Sequence, residues 1–255
     1  MQLLTGILLS LFLLLSSTCY ANNTISQIEF ITGEWPPYTS ESLPGYGPAA
    51  ILVSAVCEKI GITPVFLFRP WKRAETELLN GEAFAAFPYA KTNQRKNKFL
   101  FSDILYSTTT VLMYHQNKIK PDLLNYKAVK DLRGYTIGGI RGGFYESILK
   151  HKGINFEGTN SIEQSLNKLK IGRVDLCIGG KLVLYDAVNT FFPEDIKKFK
   201  VLGQSFGEKT HAYLMISKSY PRSEKIREKF NHGLSQLIKS GDYIQLINKY
   251  NLTIP

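Results

Sequence analysis

Apolar and polar stretches alternate along this chain, and glycine or proline marks most of the boundaries. Gln27–Ile31 is a short apolar-rich run closed by Thr32-Gly33 and reads as a strand. Glu34-Trp35-Pro36-Pro37-Tyr38 follows. Its two prolines remove backbone donors and fix φ, so it predicts a loop that presents two aromatic rings. Gly45-Tyr46-Gly47-Pro48 opens a helix through Ala49–Ile60, with Pro48 tolerated in the first turn and Gly61 suited to the position past the end. That helix is apolar on most faces, which predicts burial. Val65–Phe68 reads as a strand, Arg69-Pro70-Trp71 as a loop, Lys72–Asn80 as a helix closed by Gly81, and Ala83–Phe87 as a third strand.

The stretch Phe87–Tyr106 leaves this strand through Pro88, crosses a strongly basic polar run and re-enters apolar sequence at Phe99–Phe101. It reads as a surface or cleft loop. Thr108–Tyr114 is a β-branched strand, and Lys118–Lys130 is a polar connection. The first pattern then repeats. Tyr135–Ile140 predicts a strand, Arg141-Gly142-Gly143 a turn into a helix ending near Lys150, and Ile154–Glu157 a strand. Ser161 and Gln164 have the spacing of a capping box, Gly172 ends that helix, Val174–Ile178 is a strand, and Gly179-Gly180 leads to a helix over Leu182–Asn189. His211–Ile216 is β-type, and Ser223–Lys239 and Asp242–Tyr250 are helices parted by Ser240-Gly241. Each half is therefore β-α-β-α-β, which predicts parallel pairing with right-handed crossovers and ligand binding at the carboxyl ends of the strands. In the first half those ends carry the Trp35–Tyr38 loop, Arg69-Pro70-Trp71 and the loop after Phe87, three segments rich in aromatic rings and arginine.

Composition sharpens this picture. A chain of 255 residues with 44% hydrophobic and 20% charged residues is folded and long enough for two lobes. The net charge of +10 favours anionic partners, but the lysines are interspersed with Asp and Glu, and no RNP aromatic set or zinc-finger spacing occurs. The charge therefore reads as solvated surface, and no nucleic-acid partner is expected. Ile7–Leu15 is almost wholly apolar, is too short to span a bilayer and is followed by small residues up to Ala21. Residues 1–21 are expected to be a cleaved signal peptide despite an n-region without Lys or Arg, giving a soluble, periplasmic mature chain. Cys19 as a lipidated cysteine is the competing reading, and Thr18 before it fits poorly. Of the two remaining cysteines, Cys57 falls in a helix pattern and Cys177 in a strand pattern. Export permits a bridge, but two buried free thiols are the better reading.

Four stretches, taken with the order of elements, resemble the bacterial extracellular solute-binding proteins of family 3, the polar amino-acid-binding type, across essentially the whole mature chain. They are Trp35-Pro36-Pro37-Tyr38; KTNQRKNKFLFSDILY, from Lys91 to Tyr106; KLKIGRVD, from Lys168 to Asp175; and Ser240-Gly241-Asp242-Tyr243 with Ile247-Asn248-Lys249-Tyr250. Pro70-Trp71-Lys72-Arg73-Ala74 and Phe87-Pro88-Tyr89 look like a branch whose ligands are unassigned. The resemblance implies a two-lobed α/β fold of the periplasmic-binding-protein type II, each lobe a mostly parallel sheet flanked by helices. Lobe I would comprise residues 22–113 plus 212–255 and lobe II residues 114–211, joined by hinge strands Thr110–Tyr114 and His211–Met215. It implies a monomeric, non-enzymatic carrier without cofactors. Such a carrier would hold a small polar ligand, an amino acid or another small carboxylate, and hand it to the membrane subunits of an ABC-type importer. A ligand-sensing module for a membrane receptor and a dehydratase-like enzyme on the same fold are the other readings. Against the latter, Glu34, His115, His151 and His211 form no recognisable constellation.

The same resemblance assigns Arg95 to a ligand carboxylate, for which a planar, permanently charged guanidinium is suited; a surface arginine among Lys91, Lys96 and Lys98 is the bland alternative. Trp35 matches the aromatic that covers the ligand, with Tyr38 in support, against a role as a hydrophobic staple. Tyr89 and Ala90 follow the third strand, where polar ligand contacts are expected, and Thr92 orders the loop. Trp71 sits at a strand's carboxyl end. Arg73 either adds an anion contact or faces water. In the second half, Arg141, Gly143 and Phe144 join a strand to a helix whose first amides suit an anionic group, or form a plain tight turn; Tyr145 is placed to reach the cleft. Two departures matter. Family members usually carry an aspartate for the ligand's α-ammonium where this chain reads Gly179-Gly180-Lys181, and Asp186 lies too far along to replace it. The usual serine near Ala90 is also missing, and Phe84 stands where an aspartate is usual, read as core variation.

Overall fold

The computed structural model describes residues 26–118 and 126–255. The expected signal peptide, Cys19 and part of the polar connection after Lys118 lie outside the described residues. Three parallel strands open the chain: β1 (Ser26–Thr32), β2 (Ile62–Phe68) and β3 (Ala85–Tyr89), with β1 between the other two. They alternate with α1 (Pro48–Lys59) and α2 (Trp71–Asn80). The sheet continues antiparallel through β11 (Thr210–Ser217) to β4 (Phe99–Phe101). A second sheet holds β7 (Thr136–Ile140), β8 (Asn155–Thr159) and β9 (Leu176–Gly180) in parallel. Antiparallel β6 (Thr110–His115) and β10 (Phe199–Val201) extend it on the β9 side. Both repeats thus fold as the element order predicts, with antiparallel strands making each sheet mixed.

Apolar patterning explains the packing. Ala49, Ala50, Leu52, Val53, Val56 and Cys57 of α1 are fully buried, as expected of a helix apolar on most faces. Helix α7 (Ser223–Lys239) lies against it at Gly233, where an added Cβ would come within 2.8 Å of Ile60 and 3.0 Å of the Val56 carbonyl oxygen. Phe84 is fully buried, edge-on to Phe30 and Tyr220, and so belongs to the core. Cys57 and Cys177 are free and buried, and burial pushes both thiols up to about 12.

Several boundaries differ from the sequence reading, each for a physical reason. β2 begins at Ile62, through Pro64, because it is the edge strand of its sheet and an edge position tolerates a missing donor. The basic run expected as a loop contains a helix, α3 (Asn93–Lys98), capped by Thr92, whose hydroxyl accepts from the Arg95 amide at 3.2 Å. No apolar periodicity announces this helix because its buried residue is Arg95. The expected strand Thr108–Tyr114 is two strands. β5 (Tyr106–Thr108) pairs with residues 210–212 of β11 on the first lobe, and β6 pairs with residues 177–180 of the second sheet. The chain changes sheets at Thr109. The return crossing runs along β11 near Thr210. Ser107 is also bridged to Thr253 near the carboxyl terminus.

Candidate functional site

A cleft of about 100 Å³ lies between the two sheets. Trp35, Trp71, Tyr89, Ala90 and Arg95 line it from the first lobe, and Ile140, Gly142, Gly143, Phe144, Gly179 and Gly180 from the second. These are residues at the carboxyl ends of the parallel strands and in the turns that follow, where the topology places ligand sites.

Trp35 is held from two directions. Its amide donates to the Thr39 carbonyl at 2.8 Å, and its own carbonyl accepts from Tyr38 and Thr39. Its ring stacks on Tyr38 at 4.7 Å, and Tyr38 stacks on Tyr106 at 5.5 Å. This column presents Trp35 to the opposite lobe, where it meets Gly180. A Cβ on Gly180 would lie 3.2 Å from Trp35 Cζ2. The position where the resemblance implies an aspartate is therefore backed by an indole ring.

Tyr89 contributes its ring, because its hydroxyl donates to the Trp71 carbonyl at 2.7 Å. Burial pushes this phenol far above its ordinary value, partly countered by Arg95. Trp71 stands edge-on to Tyr89 at 5.5 Å. The Arg95 guanidinium lies over the Tyr89 ring at 4.7 Å, a cation–π arrangement.

Arg95 is buried and heavily engaged. Its Nε and Nη2 donate to Glu75 Oε1 at 3.1 and 2.8 Å, its Nη1 to the Ala90 carbonyl at 3.1 Å, and its Nη2 to the Gly142 carbonyl at 2.7 Å. A guanidinium has five N–H groups, so these four bonds leave one on Nη1. The bond to Gly142 crosses the cleft and joins the lobes. Gly142 itself has φ +84, a conformation side chains strain to adopt.

The remaining expected residues divide. Gly143 and Phe144 line the cleft at the start of α4 (Phe144–His151), but the Gly142 amide there donates to Glu146 of the same helix at 2.8 Å. Tyr145 lines the cleft with its hydroxyl accepting from the Ile140 amide at 3.1 Å. Arg73 is not brought to the cleft: it is exposed and pairs with Glu77 at 2.6 Å. Arg141 is also exposed, bonded to the Gly158 carbonyl and Asn160, and lines an adjoining groove that shares Arg95, Gly142, Gly143 and Phe144 with the cleft. The sequence names Thr110 and His211 as starts of the hinge strands, and His211 as an acid–base candidate without partners, but does not bring them, Thr108 or Thr210 to the ligand cleft, which they line. Their only signal is position on two strands far apart in sequence that meet in register.

Among the described residues, no group of three or more His, Cys, Asp or Glu side chains is arranged to hold a metal, and no helix is long and apolar enough to cross a membrane. The family profile described as bacterial extracellular solute-binding proteins, family 3, matches residues 30–253. The chain is 24% identical over 225 residues to the L-cystine-binding protein TcyA of Bacillus subtilis (strain 168), covering 86% of this chain and 78% of that protein. Among solved structures it is similar to a histidine kinase sensor domain resembling periplasmic binding proteins, with a TM-score of 0.77, 17% identity and coverage of 91% and 99%. It is also similar to an ancestral arginine-binding protein bound to arginine, with a TM-score of 0.73, 20% identity and coverage of 88% and 98%.

Proposed function

The chain belongs to the bacterial extracellular solute-binding proteins, family 3, and from that premise we propose that it is an exported carrier. It captures a small polar, carboxylate-bearing ligand between its lobes and delivers it to an ABC-type importer. The observation that carries this reading is the aromatic cleft at the strand ends of both sheets, spanned by Arg95 from Glu75 on one side to Gly142 on the other. Ligand contacts with both lobes favour the closed arrangement over the open one, and hinge strands at residues 106–110 and 210–212 absorb the rotation. Arg95 supplies the positive end of the site. Because Glu75 already shares its charge, a ligand carboxylate gains the full guanidinium fork only by displacing part of the present network.

The test is a thermal-shift screen of the purified protein against amino acids, other mono- and dicarboxylates and polyamines. A ligand present at a hundredfold its Kd adds about 2.7 kcal/mol, a shift of about 5–10 °C for a protein of this size. The expected result is stabilisation by a carboxylate that is lost in Arg95→Ala. Equal stabilisation of that variant contradicts the role of Arg95, and no stabilising compound contradicts capture. The fold is shared with a sensor domain, so a gene deletion separates the roles: lost uptake of the ligand supports a carrier, whereas retained uptake with a lost response supports a sensor. Turnover of the ligand would instead mark an enzyme.

A further inference from the structure

The floor of the cleft is the hinge itself. Ser107 and His211 are register partners on β5 and β11, and Ser107 Oγ lies 2.8 Å from His211 Nδ1. Ser107 is fixed in turn by its amide, which donates to the Thr253 carbonyl at 2.8 Å. This bond sets the orientation of the imidazole ring. Its other nitrogen, Nε2, has no protein partner among the described residues, and His211 lines the cleft. Beside it Thr110 Oγ1 and Thr210 Oγ1 lie 3.2 Å apart, both also in the lining.

The walls of the cleft are otherwise poor in places for a positive charge. No Asp or Glu lines it among the described residues. The site usual for an acid is Gly180, and Trp35 closes the space above it. An ammonium held there would lose its hydration without gaining a carboxylate, which is costly. The opposing effect is attraction to aromatic faces; the Tyr89 face is already covered by Arg95, and one face of Trp35 by Tyr38. An imidazole held through Nδ1 by Ser107 leaves Nε2 as its remaining hydrogen-bonding atom.

We propose that the hinge, and not the second lobe, reads the ligand's second polar group: His211 Nε2, flanked by Thr110 and Thr210, engages an uncharged or anionic hydrogen-bonding group. The substrate class is then a flat, apolar-faced carboxylate or amide without an α-ammonium. This rests on the capture reading above and names the chemistry of that same cleft.

Four probes that share a phenyl ring and differ only in their polar groups test it by calorimetry on the purified protein: 3-phenylpropionate, 3-phenylpropionamide, phenethylamine and L-phenylalanine. The two lacking an ammonium are expected to bind at least about tenfold more tightly than the two that carry one, the size of one well-made polar contact. His211→Ala is expected to weaken those two by about tenfold, and His211→Gln, whose amide stands near the lost nitrogen, to recover most of that loss. Ammonium-bearing probes that bind as tightly, or a His211→Ala variant with unchanged affinities, would overturn the proposal. If none of the four binds while the wider screen yields a stabilising compound, this specificity fails and capture stands. If that screen is also silent, both fall.

Discussion

At the scale of single residues, Arg95 is the position where expectation and structure inform each other most. Its place was legible, because a lone arginine in a polar segment between two apolar ones belongs at a surface or cleft. Its partner was not. Glu75 lies 20 positions earlier on α2, and nothing in the local sequence reports which way that helix turns its carboxylates. The pairing yields a prediction of opposite signs. Glu75→Gln removes the competing charge, so carboxylate affinity should rise by about tenfold in calorimetry while folding stability falls by about 1.5–3 kcal/mol in denaturant titration. A loss of affinity in this variant would mean that Glu75 orients the guanidinium and does not compete for it. Arg73 shows the reverse lesson: a residue two positions from Trp71 is carried out of the cleft simply because α2 has begun, and it meets Glu77 one turn on. His211 was visible as a hinge-strand residue, but its role in the cleft was not, because its partner Ser107 is 104 positions away and becomes a neighbour only through strand register.

At the scale of elements, strongly periodic segments were readable and short ones were not. Helix α7 matches its expected bounds, since a seventeen-residue amphipathic run has many apolar positions in phase. The three-residue strands β4 and β10 offer too few positions for a period, and α3 hides because its inward residue is charged. The splitting of the hinge strand is equally invisible locally: residues 108–113 around Thr109 are all β-branched or apolar, and only their partners differ. Ion pairing between elements also sets a pH response. Asp195 in the segment Pro193–Lys198 meets Lys170, at the end of α5 (Ile162–Lys170), and Lys198, each at 2.6 Å. Hydrogen bonds from Lys170 first and then Lys198 hold this carboxyl down at about 2. An unfolded aspartate titrates near 3.9. The folded state therefore binds fewer protons here, and the pair's contribution is complete above about pH 4 and lost as pH falls toward 2. Urea midpoints measured across that window should fall, and Asp195→Asn should flatten the slope while lowering stability at neutral pH. An unchanged slope in the variant would assign the acid sensitivity elsewhere.

At the scale of the whole molecule, two β-α-β-α-β units bring their strand ends to one cleft, and the chain crosses between them twice. That architecture was legible from the alternation of elements. What the alternation does not carry is the balance of charge inside the cleft, where, among the described residues, a basic chain presents an arginine that is already paired, no acid, and a hinge floor of hydroxyls and one imidazole. The molecule also contains its own reporter. The chain has two tryptophans, Trp35 and Trp71, and both line the cleft. Titrating any compound that stabilises the protein while recording tryptophan emission therefore tests capture between the lobes most directly. The account predicts a saturable change in intensity or wavelength that tracks the calorimetric binding curve with one site per chain. Tight, stabilising binding that leaves the emission of both tryptophans unchanged would place the ligand elsewhere and contradict it.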